Sequence, residues 1–266
     1  MLGVVMGVMA VFGPVAHADL VLSAPPRESR EAGEKLYGAL AEYLSKATGE
    51  RIVYRHPDNW GIYQAYMTKG EYDLVFDGPH FVSWRMARLQ HVPIAALDGK
   101  LRFVVVSKTD NARVHQLNDL IGKGVCGHAP PNLATLTLFD QFTNPSRQPL
   151  LVETKGFDNA YRALLAGRCV GTVLPAELYR KYDGQAKHTR VLYESTAVSN
   201  QALTAGPRVS AEVRKRLQQA LLSTEGKPVV QPVAESAGAS IFIAVTDVDY
   251  RGYDSLLRNV WGFEQH

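Results

Sequence analysis

The chain has 266 residues, 21% of them charged and 46% hydrophobic, a globular composition that excludes a disordered or low-complexity protein. Its net charge of +3 is small and its Lys and Arg residues are scattered, which argues against a nucleic-acid-binding surface with its basic stripe and exposed aromatics. At this length one large or two moderate domains are expected, since domains usually run to about 100–150 residues.

Residues 1–18 carry no Lys, Arg, Asp or Glu. An apolar run from Leu2 to Phe12 is broken by Gly13-Pro14, and Ala16-His17-Ala18 sets small residues before Asp19. This pattern predicts a secretory signal peptide over residues 1–18, cut after Ala18. The positive segment that opens such a peptide is missing, which implies a true start upstream of Met1. An uncleaved anchor is the alternative, but the run is shorter than the ~20 residues a membrane span needs. A soluble, periplasmic protein is expected. Export bears on Cys126 and Cys169, because an even cysteine count in an oxidising compartment favours pairing. Both lie in strand-like runs, and a bridge follows if those strands are neighbours. Two buried thiols are the alternative. A metal site is disfavoured because neither Cys has a ligand-type residue at metal-site spacing.

In chain order, Leu20–Ala24 reads as a strand ended by Pro25-Pro26. Leu36, Leu40, Tyr43, Leu44 and Ala47 then fall at helical spacing, with Gly49 closing the helix. Arg51–Arg55 is a second strand, Asn59-Trp60-Gly61 opens a helix through Lys69, and Tyr72–Phe76 is a third strand ending in Asp77-Gly78-Pro79-His80. This β-α-β-α-β order predicts a parallel sheet with helical crossovers. Leu101–Ser107 is a further strand whose end predicts a crossing to a second unit. That unit has strand 123–128, helix 132–142, strand 150–154, helix 157–166, strand 169–174 and a last strand Arg190–Tyr193. Asn200–Ala205 runs back to the first unit. A helix follows from Ser210 as N-cap, with Val213, Leu217, Ala220 and Leu221 facing inward, and Gly226 and Pro228 end it.

In open α/β sheets ligands sit beyond the carboxyl ends of strands. Asp77 and His80 hold such a position, and Ala129-Pro130-Pro131-Asn132 holds one in the second unit. Together they predict a cleft between two lobes. A carboxylate at Asp77 could accept a bond from a ligand hydroxyl, a protonated oxygen or an amine; capping the helix after Pro79 is its other role. His128 reads equally as a packed strand residue. Lys155, just after a strand, could meet an anion. No catalytic residue is expected. Cys126 with His128 is the single local pair suited to a nucleophile, and it lacks a third partner.

Four stretches carry a family resemblance: Ser23-Ala24-Pro25-Pro26-Arg27-Glu28, Gly70–Leu74 leading to Gly78-Pro79, Leu117–Lys123, and Val245–Tyr250. In these the chain resembles the phosphate-, phosphite- and phosphonate-binding proteins of ABC importers. The resemblance implies an α/β fold of the type II periplasmic binding protein kind. Each of its two lobes is a mostly parallel sheet flanked by helices, and the ligand cleft lies between them. Lobe 1 is expected from 19–106 and 201–266, with lobe 2 (107–200) inserted. The resemblance also implies a small-molecule ligand, an ABC permease as partner, a monomer, and no cofactor or metal. It places an aromatic against the ligand at Trp60 or Tyr63 and a cleft side chain near Pro175 and Glu177. Where the family carries a Ser/Thr-rich anion loop, this chain has Gly127–Thr135 with two prolines that remove two N–H donors, leaving Asn132 and Thr135. A neutral or apolar hydroxylated ligand is therefore the competing expectation, as is a sensor that reports to a membrane receptor.

Overall fold

The computed structural model describes residues 18–263, so the predicted signal peptide lies outside the described residues except for Ala18. From Leu20 the chain builds β1 (Leu20–Ser23), α1 (Arg30–Gly33), α2 (Ala39–Thr48), β2 (Ile52–Tyr54), α3 (Trp60–Thr68), β3 (Leu74–Asp77), α4 (Pro79–Leu89) and β4 (Val92–Leu97). A π-helical stretch, Glu34–Gly38, joins α1 to α2. The helix boundaries follow from capping chemistry. The side chains of Ser29 and Asn59 accept from Ala32 N and Ile62 N, and α2 stops where Gly49 turns left-handed at φ 78°. β1 pairs in parallel with both β2 and β3, as the alternating pattern requires.

After the two-residue strand β5 (Lys100–Leu101) come β6 (Phe103–Lys108), β7 (Gly124–Gly127), α5 (Leu133–Phe139), β8 (Leu150–Glu153), α6 (Phe157–Leu165), β9 (Gly171–Pro175), α7 (Ala176–Asp183) and β10 (Thr189–Glu194). β11 (Val198–Ser199) pairs with β5, and β12 (Ala202–Ala205), α8 (Ala211–Leu222), α9 (Lys227–Ser236) and β13 (Phe242–Ile243) complete the described strands and α-helices.

Two main sheets result. One has the order β13-β4-β12-β3-β1-β2 and the other β10-β6-β9-β7-β8. They define two lobes, the first containing both ends of the described chain. The strand Phe103–Lys108 corrects the expected boundary at 106. It lies inside the second sheet between β10 and β9, so the first crossing precedes it, at the β5–β11 ladder rather than at Ser107. The physical reason is its pairing with β9 and β10, which sets Phe103 and Val105 against one apolar cluster of lobe 2 and Val104 and Val106 against the other. Both faces of that sheet are thus covered by helices. The chain returns to lobe 1 at β12, which inserts between β3 and β4.

β7 and β9 are parallel neighbours, and Cys126 is bridged to Cys169, which sits just before β9 with a Cα separation of 5.8 Å. The bridge spans 43 residues of sequence, and in the chain-entropy model a loop of that size contributes about 4 kcal/mol. It leaves no free thiol among the described residues, which removes Cys126 as a nucleophile beside His128. No group of three or more His, Cys, Asp or Glu among the described residues is placed to hold a metal.

Candidate ligand-binding cleft

At the end of β3, Asp77 is wholly inaccessible to solvent. Its two oxygens accept from Arg85 of α4, Nη1 at 2.6 Å and Nη2 at 2.7 Å, the forked geometry that matches guanidinium to carboxylate. The Tyr63 hydroxyl donates to the same carboxylate. Burial, and then the charge of Asp77, raise the Tyr63 phenol well above its usual range, so it stays a donor. Arg85 is also fully buried; its Nε and Nη2 donate to the Thr204 hydroxyl of β12, at 3.2 and 3.1 Å, and its Nη1 also donates to the Met67 sulfur. Asp77 therefore occupies the predicted strand end, but its carboxylate faces inward, closed off by a buried ion pair, rather than toward a ligand. Tyr63 goes with it into the core.

His80 opens the other way. Gly78 lets the chain turn tightly there: a Cβ at residue 78 would stand 2.9 Å from His80 Cε1. The imidazole lies on the Phe81 ring at 4.1 Å, and its Nε2 is 3.0 Å from the carbonyl oxygen of Pro131 on lobe 2. A carbonyl only accepts, so Nε2 carries the proton. Burial, partly offset by Asp77, lowers the ring to about 4, which leaves it neutral at pH 7 with Nδ1 bare and without a hydrogen-bond partner. Of the Asp77–His80 cluster, His80 reaches across from lobe 1 to Pro131 of the Pro130–Asn132 loop.

On lobe 2, Asn132 caps α5 by accepting from Ala134 N at 3.0 Å, and the buried Thr135 hydroxyl donates to His128 O at 2.6 Å. His128 rests on Phe157 at 4.5 Å, and burial lowers its pKa. Trp60 stands 39% exposed at the start of α3, edge-on to Tyr63 and 6.5 Å from Phe81, the ring that supports His80. Two other candidates stand apart from this grouping. Lys155 is exposed and borders a depression of about 420 Å³ lined, like itself, by lobe 2 residues, among them Glu153, Arg162 and Arg168. Glu177 is exposed on α7 and pairs with Arg180.

Arg27 was missing from the predicted set. It follows the Pro25-Pro26 stop of β1, its Nη1 donates to Gln201 Oε1 at 2.5 Å beside the return crossing, and its charge lowers the pKa values of His80 and Tyr63. Its signal in the sequence was a cation immediately beyond a strand end, the same positional rule that singled out Asp77.

A pair of α/β sheets joined by two crossings, with strand ends and helix starts meeting between them, defines a two-lobed periplasmic binding protein. The family model for the periplasmic substrate-binding protein of phosphonate ABC transporters matches residues 22–250, and the chain belongs to that family. Its fold is similar to that of PhnD1 from Prochlorococcus marinus in complex with methylphosphonate, at 13% identity and a TM-score of 0.64 over 91% of this chain and 98% of that one. It is also similar to a Xanthomonas citri protein bound to ATP, with 14% identity and a TM-score of 0.69 over 93% and 97% of the two chains. A binding component of an ABC phosphonate transporter from Pseudomonas aeruginosa gives 14% identity and a TM-score of 0.60 over 87% and 83%. Comparison with curated protein sequences gives no match.

Proposed function

We propose that this protein captures a small phosphonate- or phosphate-type oxyanion between its lobes in the periplasm and delivers it to an ABC permease. One observation carries the choice of an anion. The carboxylate of Asp77 is neutralised by Arg85 within lobe 1, which leaves as the uncompensated charge the exposed guanidinium of Arg27, held by Gln201 at the return crossing and acting on His80. A lobe 1 wall of that kind attracts negative charge and offers a fork of N–H donors suited to a phosphonate. Family membership supports the same reading. Lobe 2 contributes less than in a hydroxyl-rich loop, because Asn132 and Thr135 spend their side chains on their own loop and helix. Arg27 therefore carries most of the recognition, with the bare Nδ1 of His80 suited to accept from a protonated oxygen of the anion and Trp60 as a rim aromatic.

Titration calorimetry with methylphosphonate, inorganic phosphate and the neutral polyol erythritol tests this reading. At least one oxyanion should bind with Kd of about 1 µM or tighter, equivalent to about −8 kcal/mol, and more weakly as salt rises. Binding of erythritol with no response to either anion would move the protein to the neutral-ligand class.

A further inference from the structure

We propose that the C-terminal segment Tyr253–Phe263 is a latch, a third and non-covalent link between the lobes that biases the protein toward its closed form. It begins after Gly252, in the left-handed region at φ 90°, with the short 3-10 helix Tyr253–Leu257. Its lobe 1 anchorage is polar and aromatic. Ser83 of α4 donates to Asp254 Oδ1 at 2.8 Å, Gln64 of α3 donates to the Trp261 carbonyl at 2.5 Å, and the Phe263 ring lies 5.6 Å from Phe81 and 5.3 Å from Trp84.

Its contact with lobe 2 is apolar. Leu257 is completely buried in a cluster with Tyr63 and Phe81 of lobe 1 that also takes in Leu136 from α5 of lobe 2. Leu256, next to it, packs against that cluster and against the lobe 2 cluster containing Leu138 and Phe142. The segment and α5 also share a crevice of about 310 Å³, with Leu136 and Phe139 on one wall and Leu256 and Val260 on the other. The two covalent crossings, near β5 and β11, permit a hinge. The apolar seam forms only when α5 approaches the segment, so its burial favours closure whatever ligand occupies the cleft. Phe81 connects the seam to the cleft, since the same ring supports His80.

A ligand that binds the closed form gains apparent affinity in proportion to the closed population. Loss of most of the Leu256 contact should shift the closed-to-open ratio by roughly tenfold. The test uses the full chain and two variants, Leu256→Ala on the seam and Asp254→Ala on the lobe 1 anchor. Small-angle X-ray scattering without ligand should give a larger radius of gyration for both variants than for the wild type, with unchanged far-UV circular dichroism. Calorimetry with methylphosphonate should then give a Kd about tenfold weaker. Because the scattering is read without ligand, it judges the latch even if methylphosphonate fails to bind. Wild-type radii for both folded variants would overturn the latch. If Leu256→Ala does not fold, the radius of Asp254→Ala decides the matter, since its carboxylate accepts from Ser83 in the lobe 1 anchor and lies outside the apolar seam.

Discussion

Substituting Arg85 by alanine should destabilise the protein by about 3–5 kcal/mol, because it strands the Asp77 carboxylate in a fully buried site. The Tyr63 hydroxyl still donates to that carboxylate, but one neutral hydrogen bond does not replace a forked guanidinium. Thr204 would lose two donors at the same time. In a protein of this size such a loss lowers the melting temperature by roughly 10 °C. The apolar pair Asp77→Leu with Arg85→Met should recover much of the stability, because no charge is then left unpaired. Differential scanning calorimetry on the three proteins checks this. A melting temperature for Arg85→Ala within a degree of the wild type would show that the ion pair is not the keystone of the lobe 1 core.

Stability should fall steeply as pH drops below 6.5, through two buried histidines. His80 is lowered from 6.5 to about 4 and His91 to about 3, in each case chiefly by burial, with Arg27 and Arg85 pressing on the first and Arg85 and Arg214 on the second. Both rings bind protons more weakly in the folded chain than in the unfolded one. Above pH 6.5 the rings are neutral in both states and their contribution is complete. As pH falls from 6.5 toward 4 and 3 the unfolded chain takes up protons that the folded chain refuses, and stability is lost. For His80 alone the loss is about 3 kcal/mol once pH is below both values. His91 adds a comparable amount, because its ring is closed in by Thr204 at 3.1 Å and by Gly206, where a Cβ would stand 2.9 Å from Nε2. Melting temperatures measured from pH 7 to pH 4 should therefore drop less in the double variant His80→Gln, His91→Asn than in the wild type. Superimposable curves would assign the acid sensitivity to other groups.

Much of the architecture was legible because it rests on local chemistry. Periodicity and caps located β1, β3, α3 and the inward face of α8; the Cys126 and Cys169 runs read as strands whose bridge depended on their being neighbours, a condition that the parallel pairing of β7 and β9 meets. The elements that escaped carry weak or contrary signals. α9 begins just where Gly226 and Pro228 read as a stop, because proline is tolerated in a first turn, and it continues through Pro232. Phe103–Lys108 has the alternation of a strand, but nothing local states which sheet receives it; that is decided by pairing with β9 and β10, some 65 to 90 residues away.

The site was legible in position and less so in chemistry. The strand-end rule found Asp77 and His80, but it could not see that Arg85, eight residues on, turns back to take the carboxylate. An arginine on the buried face of α4 looks like any surface cation until Thr204 arrives from the far end of the chain. The same lack of long-range partners concealed Arg27, whose place is fixed by Gln201 across the return crossing.

We propose that Arg27 supplies the charge that holds an oxyanion against His80. The most direct test is the Kd of methylphosphonate for the wild type and for Arg27→Ala, measured by titration calorimetry at one salt concentration. Loss of a charged hydrogen-bond donor costs about 1.5–3 kcal/mol, so affinity should fall about ten- to hundredfold while the melting temperature stays unchanged, Arg27 being exposed. Equal affinity in the two proteins would contradict the account.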